Sequence, residues 1–177
     1  MEQKEINNQV NPNQNNQITS PLFFPITTNK LIIMSICTFG IYEIYWFYRN
    51  WKFLKKKKSF NISPFWRALF SVFFCYSLFK NIKKYANENG MQKTFTPGGL
   101  ATAYILIFIT YKLPDPTWLI STFTFIPLLT TQKTINILNH DQSEKVINKK
   151  FSGWNIFGIV VGIIWWGAVI SGMLLPE

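Results

Sequence analysis

The stretch LIIMSICTFGIYEIYWFYRNWKFLKKKK, residues 31–58, decides how the chain is read. From Leu31 to Tyr48 it carries a single charge, Glu43, and it ends in four lysines, Lys55, Lys56, Lys57 and Lys58. An apolar run of that length suits a helix crossing a hydrocarbon core of roughly 30 Å. Lysines directly after such a run mark the cytoplasmic side. Two features complicate it. Gly40 weakens a helix, and Glu43 is costly at bilayer depth unless it is paired, hydrated or close to the interface. A continuous span is expected. The alternative is a break at Thr38-Phe39-Gly40 that turns the chain back and moves the N-terminus to the other side.

The rest of the chain has the same character. Of 177 residues, 48% are hydrophobic, 18% aromatic and only 15% charged, with a net charge of +10. An ordinary soluble domain carries roughly 25% charged residues. The aromatic content excludes disorder over most of the length. Two cysteines, Cys37 and Cys75, exclude a disulfide-stapled secreted domain. Residues 1–21 form an Asn/Gln-rich tail, expected to be disordered, and 22–177 form one membrane domain. The tail lacks the apolar region of a signal peptide.

Four more apolar segments follow, at 65–79, 98–111, 117–131 and 151–176. The third and fourth segments flank Lys112-Leu-Pro-Asp-Pro116, a turn signal that predicts an antiparallel hairpin. The second segment is short and has Arg67 near its start. If it spans, basic residues fall on both sides. If it stays on the cytoplasmic side, 15 Lys and Arg lie inside, against Lys4, Lys30 and Lys112 outside. The positive-inside rule favours the second arrangement. The expected fold is therefore all-α and multi-pass, with about four spans plus one embedded or re-entrant helix; five spans is the alternative.

Glu43 and Arg67 are the ionisable residues within apolar stretches, and they are candidates for an intramembrane pair. Trp46, Arg49, Trp51, Lys52 and the lysines 55–58 are candidate lipid-headgroup contacts, because aromatic rings and lysines favour that level. Gly158 and Gly162 form a GxxxG match for close helix packing, within the chain or between copies. Trp165 and Trp166 lie near the middle of the last segment, where an indole N–H needs an acceptor. Gln132, Asn136 and Asn139 sit at helical spacing on one polar face.

Catalytic and metal signatures are poor. The one histidine, His140, stands with Asp141 and Glu144 in a loop, and the cysteines lack zinc or redox spacing. No phosphate loop or dinucleotide motif occurs. No cofactor, metal or nucleic acid is expected.

The run Thr38-Phe39-Gly40-Ile41-Tyr42-Glu43-Ile44-Tyr45-Trp46-Phe47-Tyr48-Arg49-Asn50-Trp51 resembles a family of small bacterial multi-pass membrane proteins of unknown function. Their mark is a T-x-G-x-Y-x-x-Y-W-x-Y-x-x-W stretch, and Pro64-Phe65-Trp66-Arg67 is similar to a second part of the pattern. The resemblance implies a bacterial cytoplasmic-membrane location and supplies no activity. The expected function is a non-enzymatic one, through membrane lipids or a membrane-protein partner at the cytoplasmic face. A small transporter or channel subunit is the alternative, and a membrane enzyme acting on lipid ranks below both.

Overall fold

A computed structural model describes residues 21–58, 61–91, 95–140 and 148–174. Residues 1–20 of the tail, with Lys4, lie outside these, as do Asp141, Glu144 and Lys145. The described α-helices are α1 Thr28–Cys37, α2 Ile41–Lys58, α3 Pro64–Leu69, α4 Ser71–Glu88, α5 Pro97–Ile109, α6 Phe125–His140 and α7 Gly153–Leu174. Short 3-10 helices cover Thr110–Lys112 and Thr117–Thr124. Among the described residues there is no strand, only one parallel bridge between Ile26 and Asn148. The all-α class holds.

The first apolar segment is not continuous. It divides into α1 and α2 at Thr38-Phe39-Gly40, which corrects the expectation of one straight span. The stop has a recognisable hydrogen-bond pattern. Gly40 N–H donates to Ser35 O at 3.0 Å and Phe39 N–H to Ile36 O at 3.5 Å, the two bonds of a Schellman motif. The left-handed residue between them is Phe39, at φ 50°, followed by Gly40 at φ 82°. A left-handed phenylalanine is strained by its Cβ. Its ring stacks on Trp166 at 4.9 Å and meets Trp165 edge-on at 6.1 Å, so tertiary packing holds the turn.

Contacts between elements identify the two ends of the bundle. Ile26 bridges Asn148, Leu22 N–H donates to Asn139, and Lys57 lies over the Tyr85 ring. One end therefore gathers residues 22–30, the ends of α2, α4 and α6, and the start of α7. The opposite end carries the 110–116 turn, where Asp115, Pro116 and Trp118 share a cleft with Val169, Gly172 and Met173. The N-terminal segment thus lies at the end opposite the C-terminus of α7. This agrees with the alternative in which the chain breaks at Thr38-Phe39-Gly40 and turns back.

The second apolar segment is also divided. Phe70, at φ −95° and ψ 41°, separates α3 from α4. Ser71, the first residue of α4, meets Tyr104 at 3.3 Å, and Phe79 meets Phe95. The two helices are therefore antiparallel, and α4 starts level with the middle of α5. It stops well short of the 110–116 turn.

The predicted hairpin of the third and fourth segments is present. Its returning arm is a 3-10 helix that becomes α6 at Phe125. Pro127 lies in the first turn of α6, where its missing N–H costs no helical hydrogen bond. Among the described residues one helix, Gly153–Leu174, is long and apolar enough to cross a membrane by length and composition.

Candidate functional site

Helix α2 has two chemically distinct faces. Trp46, Phe47, Asn50, Trp51 and Leu54 are buried. They pack on the N-terminal segment, α3, α4 and α6. Two of the expected headgroup contacts are thereby corrected, since Trp46 and Trp51 are 0% and 1% exposed. The Trp46 indole donates to Gln132 Oε1 at 2.6 Å, while the Trp51 ring lies under the Arg67 guanidinium at 4.6 Å. The Trp46 N–H thus keeps an acceptor inside the bundle, whereas the Trp51 N–H is buried with no hydrogen-bond partner.

The other face is open. Residues turn by about 100° each along a helix, so Arg49, Lys52, Phe53 and Lys56 stand together. They line a shallow cleft of about 140 Å³. Lys52, Lys55, Lys56 and Lys57 are exposed; the Lys58 side chain lies outside the described residues. Arg49 is half-buried. Its guanidinium sits 4.8 Å from the Phe24 ring, 5.7 Å from Tyr45 and 5.9 Å from Phe53. Nη1 donates to Tyr45 Oη at 3.0 Å. Lys57 rests 4.8 Å from the Tyr85 ring; burial lowers its ammonium below the ordinary lysine value, opposed by the Glu88 carboxylate.

Above this basic end, near the α1–α2 turn, lies a buried polar group. Glu43 is 2% exposed and accepts a hydrogen bond from Thr124 Oγ1 at 2.9 Å. Among the described residues no ion pair joins it to Arg67, so the candidate pair does not form. The reason is helical reach. Arg67 stacks on Trp51 and Phe74, and Trp51 is eight residues along α2 from Glu43, about 12 Å at the rise of a helix.

Sequence reasoning placed Gln132, Asn136 and Asn139 on one polar face but missed what they bind. Gln132 Nε2 shares its two hydrogens among Phe24 O at 3.2 Å, Ile26 O at 3.0 Å and Asn136 Oδ1 at 2.8 Å. Asn139 accepts from Leu22 N–H at 2.9 Å and donates to Phe23 O at 3.2 Å. Asn50 Oδ1 accepts from Phe24 N–H at 3.1 Å. Three buried amides thus satisfy the backbone of the irregular segment 22–26. Uncharged amides inside an apolar helix were the available signal, because a buried amide requires partners. Lys30 fastens the next junction. Its Nζ donates to Lys150 O at 2.7 Å beneath the Phe151 ring, and burial lowers its pKa.

Gly158 and Gly162 serve packing within the chain. A Cβ on Gly162 would lie 2.0 Å from Cys37 O; one on Gly158 would lie 3.6 Å from Thr38 Cγ2. Trp166 Nε1 donates to Ile36 O at 3.0 Å, as its mid-segment position suggested. Cys37 and Cys75 are free thiols, and no group of three or more metal-binding side chains occurs among the described residues. The chain matches no protein-family model, no curated protein and no solved structure.

Proposed function

We propose that this chain is a multi-pass protein of the bacterial cytoplasmic membrane that acts without catalysis, through lipid or a membrane-protein partner at its basic end. One observation carries the reading: an exposed apolar surface and a segregated basic end occur on the same molecule. Large apolar side chains are exposed on α2, α4, α5, α6 and α7, among them Ile41, Phe73, Leu106, Ile126 and Ile163. Apolar exposure of that extent signals a membrane or a large interface. Among the described cations, Lys112 stands at the end that carries the 110–116 turn, while the lysines of α2, α4 and the 148–150 segment gather at the other.

In this reading three stretches cross: α5 with its 3-10 extension, the 3-10 helix with α6, and α7. The pairs α1–α2 and α3–α4 enter from the basic end and return. Lys30 then joins the cytoplasmic charges, which strengthens the positive-inside bias. In a variant with Cys37 and Cys75 replaced by Ser, single cysteines at Phe65, Leu113 and Ser152 test it. A membrane-impermeant thiol reagent on intact cells should label Leu113→Cys alone. Labelling of Phe65→Cys and protection of Leu113→Cys would overturn the arrangement, and release of the chain by alkaline carbonate would overturn membrane integration.

Transport is a second reading, favoured by the burial of Glu43 beside the α1–α2 turn. It requires solute flux into proteoliposomes that Glu43→Gln abolishes while folded yield is retained.

A further inference from the structure

We infer that Arg49, Lys52 and Lys56 form a site for one phosphate group, supplied by an anionic phospholipid whose acyl chain lies along the same face of α2. The inference rests on the membrane reading above and makes it specific. Arg49 is already positioned for a ligand. Three aromatic rings hold its guanidinium, and its Nε is buried with no hydrogen-bond partner. A planar guanidinium fork matches phosphate oxygens, and charge-assisted hydrogen bonds of this kind are strong.

Among the described residues no carboxylate forms an ion pair with Arg49, Lys52 or Lys56. The ion pair among the described residues is Lys84–Glu88, on another helix. Lys52 and Lys56 lie three and seven residues after Arg49, on the same side of α2, and both are exposed. The cleft measures about 140 Å³. That is below the range of roughly 300–1,000 Å³ for drug-sized ligands and suits a phosphate group.

The helix face itself selects lipid over free phosphate. At about 100° per residue, Ile41 and Tyr45 fall on the side that carries Arg49, Lys52 and Lys56. Ile41 is 70% exposed and Tyr45 42%. Along one strip, an exposed apolar stretch is followed by three cations. A phospholipid has the same order, acyl chain then phosphate. Inorganic phosphate would use only the second half.

The test uses the full chain in phosphatidylcholine nanodiscs doped with phosphatidylglycerol. Membrane integration is checked first by carbonate extraction, so that its failure is read separately. Native mass spectrometry then counts the phosphatidylglycerol retained. One molecule is expected on the unaltered chain. Arg49→Gln, and separately the double variant Lys52→Gln with Lys56→Gln, should each lower its affinity by about tenfold or more. The control pair Lys55→Gln with Lys57→Gln removes the same charge from other sides of the helix and should cost less than about threefold. Because Lys52 and Lys56 are exposed, their loss leaves the fold intact and the test interpretable even if Arg49→Gln misfolds. Equal losses in the two double variants would mean diffuse attraction and overturn the site. In pure phosphatidylcholine discs, Arg49-dependent binding of inorganic phosphate, with no phosphatidylglycerol retained in the doped discs, would overturn lipid as the source.

Discussion

The α1–α2 hairpin and α7 meet along one seam but are held by opposite means. The hairpin buries one face deeply and leaves the other open. Trp46, Phe47 and Leu31 are fully buried, and amides on α2 and α6 satisfy the backbone of the segment that leads into it. Helix α7 is nearly bare, with Gly162 its one buried residue. It attaches through Gly158, Gly162, Phe39 and Trp166. A helix that is apolar all round suits a lipid surround, where close backbone approach replaces the hydrophobic effect as the source of helix association. An irregular segment instead needs hydrogen-bond partners wherever water is excluded.

The seam between the hairpin and α7 is the most sensitive place. Gly162→Ala should have the largest effect, because its Cβ would meet the Cys37 carbonyl, which cannot rotate away. A loss of about 3 kcal/mol or more is expected. It should appear as a lower melting temperature in detergent and faster modification of Cys37 by maleimide. Unchanged Cys37 reactivity would show that α7 does not rely on this contact.

The hairpin side is broken at Gln132. Gln132→Leu leaves the Trp46 indole and the Phe24 and Ile26 carbonyls without their partner. The expected loss is about 2 kcal/mol, given the usual cost of stranded buried polar groups. Trypsin should then reach Lys30 sooner, and an unaltered digestion pattern would show that Gln132 does not hold the segment 22–26. A smaller effect belongs to Gly90, whose φ of 82° disfavours a side chain although space is open. Gly90→Ala should cost about 1 kcal/mol, measured as a shift in thermal midpoint. Gly158→Ala is the near-neutral case. Its Cβ would make ordinary contact with Thr38 and Met34, so a change within about 0.5 kcal/mol is expected. A loss equal to that of Gly162→Ala would mean the whole GxxxG face, rather than one position, sets the approach.

Two helix stops show how much of the fold was legible. Helix α4 ends at Asn89 and Gly90, with Met91 N–H donating to Ala86 O at 3.0 Å. There the left-handed position holds glycine, the ordinary signal for a stop. At the end of α1 the same motif places phenylalanine in that position and glycine one residue later. Read along the chain, Gly40 looked like a tolerated weak point in a span. The stop depends on Trp165 and Trp166, which lie more than a hundred residues away. The candidate site divides in the same way. The lysines of α2 were evident as an exposed basic run. That Trp46 and Trp51 face inward could not be read, because amphipathic aromatics suit both a headgroup layer and a core, and the partners, Gln132 for Trp46 and Arg67 for Trp51, lie on other helices.

The helical class, the apolar character of α7, the turn at 110–116 and the concentration of lysines at the end of α2 were all readable along the chain. These follow from composition and local spacing, which act over one or two turns. Tertiary structure decided that the first segment turns back, that Arg67 stacks on Trp51 instead of meeting Glu43, and that the N-terminal segment lies beside residues 148–150. Each of these depends on which distant side chain supplies a ring, a carbonyl or an amide, and no local rule specifies that partner.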